Sequence, residues 1–203
     1  MKKIILFLFC YSIFTFSAIA DNKPYIGLKY QQLNIDRSTI DGYDLDNFAP
    51  TEFTVIDIYI GFNLNNNIFA ELGYLQSDKE TVTGSQTVNS ITITGTNVSQ
   101  ELDGFRLGMG YKYKINNNLR IVPFVNYYKM DVKSSGTFVA SSGSANATAS
   151  ISGTESENWY EGGLGLSYIH KNIEFGISYS TSLKDMDEID DVNVYSAKIS
   201  YQF

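Results

Sequence analysis

The chain has 203 residues, is 43% hydrophobic but only 18% charged, and carries 15 Tyr, 13 Phe and a formal net charge of −7. Such aromatic content with so little charge excludes a disordered chain, and the acidic balance excludes the basic surface that a nucleic-acid binder needs. A single cysteine excludes an intrachain disulfide framework and a cysteine-rich metal cluster.

Residues 1–20 read as a secretory signal peptide. Lys2 and Lys3 precede an apolar run from Ile4 to Phe16, and Ala18-Ile19-Ala20 supplies the small residues of a cleavage site. Cleavage after Ala20 removes Cys10 and leaves a domain of residues 21–203. No later segment approaches the eighteen apolar residues of a spanning helix. Alternation carries the membrane signal instead.

The first strand, near Tyr25 to Gln32, is weak: Ile26, Leu28 and Tyr30 oppose Gly27, Lys29 and Gln31. The second places Ile56, Ile58, Ile60, Phe62 and Leu64 against Val55, Asp57, Tyr59 and Gly61. In the third, Leu72 and Tyr74 alternate with Glu71, Gly73 and Leu75. In the fourth, Phe105, Leu107, Met109 and Tyr111 alternate with Arg106, Gly108, Gly110 and Lys112. The fifth sets Leu119, Ile121, Pro123, Val125 and Tyr127 against Arg120, Val122 and Asn126. The sixth runs from Tyr160 to Tyr168, the seventh from Ile173 to Ser180, and the eighth from Val194 to Phe203 with the same period. A period of two means strands between two unlike surroundings.

Connections alternate in length. Asn65-Asn66-Asn67, Asn116-Asn117-Asn118 and His170-Lys171-Asn172 are short polar turns. The longer segments cover about 33–51, 77–99, 131–158 and 181–191. The second contains a Thr/Val/Ile alternation that extends its hairpin, and the third is Ser/Gly/Ala/Thr-rich, with little apolar mass to fix it. Short turns at one end and four long loops at the other predict an all-β fold: an eight-stranded antiparallel up-and-down transmembrane β-barrel. Closure satisfies every backbone N–H and C=O in hydrocarbon and removes the sheet edges.

With the apolar phase facing lipid, the barrel-interior charges are Lys29, Asp57, Glu71, Arg106, Lys112, Arg120, Glu161, Glu174 and Lys198. Their near balance predicts mutual pairing in a sealed core, because an unpaired buried charge is costly, and disfavours a single-sign ion filter. Glycines on the same phase leave room for long side chains and let a small barrel curve. Tyrosines near strand ends suit the membrane interfaces, and Trp159 is expected on the outer rim.

The signal peptide, the Ala70-Glu71-Leu72-Gly73-Tyr74 strand and the terminal Tyr195-Ser196-Ala197-Lys198-Ile199-Ser200-Tyr201-Gln202-Phe203 resemble the small eight-stranded outer-membrane barrel superfamily, which includes the OmpA transmembrane domain and opacity-type surface proteins. The resemblance implies a Gram-negative outer-membrane location. It also implies an assembly signal of Tyr195, Ala197, Ile199, Tyr201 and Phe203, read by the outer-membrane insertion machinery. No segment follows Phe203 that could supply the peptidoglycan-binding domain of larger relatives, so cell-wall anchoring is not expected. Superfamily members serve as adhesins, immune-evasion antigens or narrow pores.

The leading expectation is a structural or surface-interaction protein. Its partners would be outer-membrane lipid and lipopolysaccharide, the assembly machinery, and a host or extracellular ligand met by the loops, with no nucleic acid. A narrow pore is the alternative. Lipid modification ranks third, because the sole histidine, His170, lies at a turn with no recognisable triad. No cofactor and no catalytic residue are expected. The acidic loops offer carboxylates but no fixed metal-ligand spacing.

Overall fold

The computed structural model describes residues 24–65, 67–183 and 189–203, so the signal peptide of the sequence reading lies outside the described residues. Among the described residues there are twelve strands: β1 (Pro24–Arg37), β2 (Thr39–Ile40), β3 (Tyr43–Asp44), β4 (Glu52–Asn63), β5 (Ile68–Ser77), β6 (Glu80–Val88), β7 (Ile91–Tyr111), β8 (Tyr113–Lys114), β9 (Leu119–Ser142), β10 (Ala145–His170), β11 (Ile173–Ser182) and β12 (Ile189–Gln202). Ten belong to one antiparallel, barrel-like sheet in the order β6-β7-β5-β4-β1-β12-β11-β10-β9-β8, with β7 also pairing β9; β2 and β3 form a separate hairpin.

The turns follow from asparagine chemistry. Asn65 Oδ1 accepts the backbone N–H groups of Asn67 and Ile68 at 2.9 and 2.7 Å. Asn116 Oδ1 repeats the arrangement with Asn118 and Leu119 at 2.9 and 2.8 Å. A short amide side chain thus replaces the ladder partner that a tight turn removes. Pro123, which has no N–H to donate, lies where the ladder is broken: β9 leaves β7 at Phe124 and meets β8 at Ile121.

The strands reach further than alternating apolarity foretells. β1 continues to Arg37, and β9 and β10 pair without a break from Tyr168↔Leu119 to Ala145↔Ser142. The segment 131–158, read from sequence as an unfixed loop, is therefore mostly a hairpin. Pairing to β9 on one side, and of β9 to β7 on the other, supplies order that its small side chains cannot. The 77–99 hairpin forms as the Thr/Val/Ile alternation implied, with β6 paired to β7. The first long connection, loop 1 (residues 38–51), covers the free edge of β6: Gln86 Oε1 accepts from the Asp44 N–H at 2.8 Å, and a Cβ at Gly84 would collide with the Asn47 carbonyl.

The strand faces change character partway along. In the lower half the outer phase is apolar and exposed, as at Leu28, Ile58, Leu107 and Phe175, while the enclosed phase holds charge. Tyr30, Tyr74, Phe105, Tyr127, Tyr160, Tyr179 and Tyr195 mark the upper limit of that apolar face. Their rings pair across strands: Tyr74–Phe105 centroids lie 5.4 Å apart, Tyr127–Tyr160 5.1 Å and Tyr179–Tyr195 5.1 Å. A second aromatic group, with Tyr111, Tyr113, Tyr168, Tyr201 and Phe203, lies toward the turns. On β10 the eight-residue rise from Tyr160 to Tyr168 spans about 26 Å along the strand, or about 20 Å once tilted, a height suited to the hydrocarbon band of such proteins.

Above the upper ring the phases invert. Leu33, Phe53, Leu75, Leu102, Met130 and Val194 are buried on the enclosed side, and the outer side carries residues such as Gln32, Thr54, Gln76 and Lys129. Trp159 belongs to this enclosed apolar layer. It is 8% exposed and stacks on Tyr128 at 4.9 Å, which corrects its expected place on the rim.

Candidate functional site

Strand pairing converts the charged phase into one connected layer. Arg106, on β7, is 0% exposed. Its Nε donates to Asp57 Oδ2 at 2.7 Å, and its Nη1 donates to Glu71 Oε2 at 3.0 Å and Asn126 Oδ1 at 3.2 Å. Bonds in which both partners are ionised are the strong ones. Asp57 also accepts from Gln31 Nε2 at 3.3 Å and has Lys29 Nζ at 4.0 Å.

The layer continues from strand to strand. Lys198 Nζ lies 3.8 Å from Glu71 and 3.2 Å from Glu174, and Lys112 donates to Glu174 at 2.9 Å. On the other side Asn126 donates to Glu161 at 2.5 Å, and the Tyr128 hydroxyl reaches the same oxygen at 2.8 Å. β1, β4, β5, β7, β9, β10, β11 and β12 each contribute a polar group, through Lys29, Asp57, Glu71, Arg106, Asn126, Glu161, Glu174 and Lys198. Arg120 stands apart, half-buried toward the turns, and its Nε has no hydrogen-bond partner among the described residues.

Aromatic faces line the layer. Arg106 lies 5.5 Å over the Tyr59 ring and Lys29 5.8 Å; Lys112 sits 4.9 Å over Tyr25 and 5.3 Å over Phe69. The rings supply negative faces to cations away from water. From the sequence the interior charges are expected to pair with each other and with inner tyrosines; Tyr59 follows Asp57 by two residues on that face, and Phe69, two before Glu71, joins them as a ring under Lys112. The glycine space serves the rings as well as the charges. A Cβ at Gly61 would fall 2.1 Å from the facing Tyr25 ring, and one at Gly73 would fall 2.1 Å from Asp57 Oδ1. A cavity of about 30 Å³ remains beside Lys29, Glu71, Asn126 and Lys198, room for about one water.

The apolar layer covers this network, and above it the enclosure opens into a cup of about 310 Å³. Ile35, Phe53, Leu102, Val132 and Ile189 line it with hydrocarbon. Arg37, Gln100 and Ser134 form a polar strip on one wall: Arg37 Nη2 donates to Gln100 Oε1 at 3.0 Å, and Gln100 Nε2 donates to Ser134 at 3.2 Å. Glu155 and Glu157 of β10 also line the cup.

Outside the cup, Asp191 is acidified at the base of loop 4. Partial burial raises its pKa, but hydrogen bonds from Thr181, Ser182, Asn193 and the Val192 N–H outweigh that and hold it below the usual carboxylate value. Asp46 moves the other way, because burial raises it more than its bond from the Arg37 N–H and the Arg37 charge lower it.

Tyr195, Ala197, Ile199, Tyr201 and Phe203 occupy the exposed phase of the last strand and its end, with Tyr201 and Phe203 in an edge contact at 5.5 Å. His170 ends β10, exposed. Among the described residues no group of three or more His, Cys, Asp and Glu is placed to hold a metal ion, and no helix is long and apolar enough to cross a membrane.

Residues 4–203 match the family described as outer membrane protein β-barrel domain. The chain belongs to that family. Its place is the outer membrane of a Gram-negative bacterium. Among solved structures it is similar to Ail, the attachment invasion locus protein of Yersinia pestis, in complex with the heparin analogue sucrose octasulfate. The TM-score is 0.54 at 16% identity, covering 91% of this chain and 100% of Ail. It is also similar to the Neisserial surface protein A, with a TM-score of 0.51 at 12% identity over 89% of this chain and 97% of that one. At these identities the likeness is one of fold. No curated protein matches the chain in sequence.

Proposed function

We propose that the mature chain, residues 21–203 after removal of the signal peptide 1–20, is a non-catalytic surface-interaction protein built on an eight-stranded up-and-down barrel. The support for eight is that β1, β4, β5, β7, β9, β10, β11 and β12 each have an antiparallel neighbour on both sides, β12 meeting β1. β6, β8 and the β2–β3 hairpin are additions to that wall. The nine interior charges then fill the lumen, the tyrosine rings sit at the two interfaces, and the final strand carries the assembly signal.

The observation that carries the surface role is the height of the sheet. β6, β7, β9 and β10 continue well above the upper tyrosine ring, and residues 145–156 of β10 are exposed throughout. That edge has neither bulge nor charge from Ala145 to Thr154, while β6 is covered by loop 1. An open edge of this kind accepts extended partners. The lipid and lipopolysaccharide contacts belong to the apolar band and its rim. The heparin analogue seen with Ail is not the ligand class for this chain, because its loop segments are dominated by carboxylates, which repel sulfate.

Protease treatment of intact cells followed by mass spectrometry tests the orientation. Cuts are expected in 77–99 and 131–158, and cuts at the Asn turns instead would invert the barrel. Deleting Phe203 is expected to reduce the folded, heat-modifiable outer-membrane form severalfold while export to the periplasm continues; an unchanged folded fraction removes the assembly signal from the proposal. The pore reading is opposed by the paired charges and the apolar layer above them. Planar-bilayer recording of the refolded chain is expected to show no stable openings, and openings that vanish in Arg106 or Glu71 variants would reverse the choice.

A further inference from the structure

The turn end of the barrel reverses the charge of the rest of the molecule. A chain with a formal net charge of −7 gathers Lys112, Lys114, Arg120 and Lys171 where β7, β8, β9 and β10 meet the short turns. The acidic side chain among the described residues there is Glu174, and it is already engaged: Lys112 donates to it at 2.9 Å and Lys198 Nζ lies 3.2 Å away. That pair lines a narrow recess of about 30 Å³ together with Arg120, Lys171, Asn172 and Gln202. Arg120, Lys114 and Lys171 have no carboxylate within ion-pair distance among the described residues, and the buried Arg120 Nε has no hydrogen-bond partner there. Lys114 moreover stands directly opposite Arg120 in the β8–β9 ladder. Residues so paired project to the same face, and like charges there repel. The backbone fixes the arrangement. The Asn118 carbonyl accepts from the Ile169 N–H at 2.8 Å and Asn118 Nδ2 donates to the Ile169 carbonyl at 2.9 Å, which ties this turn to β10 beside Lys171. A guanidinium and two ammoniums held at one mouth without an anion are the donor set of an oxyanion site.

We propose that this turn-side mouth binds a phosphate-class oxyanion, as inorganic phosphate or the phosphomonoester end of a small solute. The Arg120 fork meets its oxygens, and Lys114 and Lys171 neutralise the remaining charge. Arg120 lies on the enclosed phase of β9 and lines the recess, so the ligand enters from the water at the barrel mouth and not from the lipid outside the wall. A recess this narrow holds one head group. Binding is non-covalent. The periplasmic origin of the solute rests on the orientation proposed above; the site itself does not, since an inverted barrel would carry the same mouth outward.

The experiment uses the refolded mature chain in maltoside micelles, which contain no phosphate. Inorganic phosphate is titrated against sodium chloride at equal ionic strength. Saturable shifts of the Arg120, Ile169 and Lys171 amide resonances are expected with phosphate alone. R120Q should weaken binding about tenfold, the effect of losing a charge-assisted contact, and K114Q and K171Q should each weaken it severalfold. K79Q, at the opposite end between β5 and β6, should leave it unchanged. Equal shifts with chloride, an unaltered affinity in R120Q, or an equal loss in K79Q would overturn the proposal. So would a response that appears only in phosphatidylglycerol nanodiscs, because the occupant would then be a lipid headgroup. Should R120Q fail to reach its heat-modifiable form, K171Q, altered in an exposed turn, decides. Cuts at the Asn turns on intact cells would overturn the orientation and leave this titration unchanged.

Discussion

Below the tyrosine ring β4 buries Asp57 and exposes Ile58; above it the same strand buries Phe53 and Val55 and turns Thr54 and Glu52 outward. The pleat has not changed, only the surroundings. Where the outside is lipid, the inside must hold the polar groups and pair them; where the outside is water, the inside must hold the hydrocarbon. One strand thus carries two opposite solutions to the same burial problem, and the ring of tyrosines lies where they exchange.

The largest effect is expected from breaking the lower solution at its centre. Arg106→Leu leaves Asp57 and Glu71 buried without their main partner and should cost about 3–5 kcal/mol in urea unfolding from bilayers. Reversing the outer phase at mid-height comes next: Leu107, 52% exposed, replaced by Arg should cost about 2–4 kcal/mol by the same assay. In the upper layer, Met130→Ala should cost about 2–3 kcal/mol through lost packing, with no change in the sign of any exposed charge. Ser141→Arg, high on β9, should change stability by no more than about 0.5 kcal/mol. A loss there as large as at Leu107 would end the distinction between the two zones.

The smallest effect is a pH dependence confined to the loop base. Asp191 has a depressed pKa, so its stabilisation is present above the ordinary carboxylate value and lost as pH falls through the lower folded-state value. Protection factors for hydrogen exchange around Thr181 and Ser182, taken relative to the intrinsic rate at each pH, should therefore fall on acidification below about pH 4, and D191N should flatten that dependence. An identical profile in D191N would place the acid sensitivity elsewhere.

The lower zone was legible because lipid on one side and charge on the other write an alternation that a single sequence displays, as from Val55 to Leu64. The upper zone was not. Ala145 to Thr154 has small or polar residues on both faces apart from Ile151 and owes its extended form to β9, a partner that local pattern cannot name. Trp159 was misplaced for a different reason. Two residues before Glu161, it shares the enclosed phase, but its size and its place at a strand end favoured the interfacial reading. Which charged side chains share a phase could be read from the sequence; that Arg120 stands apart, that Asn126 joins the layer and which carboxylate meets Arg106 depend on register across the strands, and register is a long-range quantity.

The unbroken β9–β10 pairing has a further consequence, in the order of folding. Its closing turn joins Ser142 to Ala145, so the first contacts cost almost no loop entropy and each later pair forms beside one already made. The β1–β12 seam, with Tyr25 against Gln202, must instead bring together residues from opposite ends of the domain. Zippering should start at the tip of the longest hairpin and finish where β1 meets β12, delivering a preformed ribbon to the bilayer before that last pairing forms.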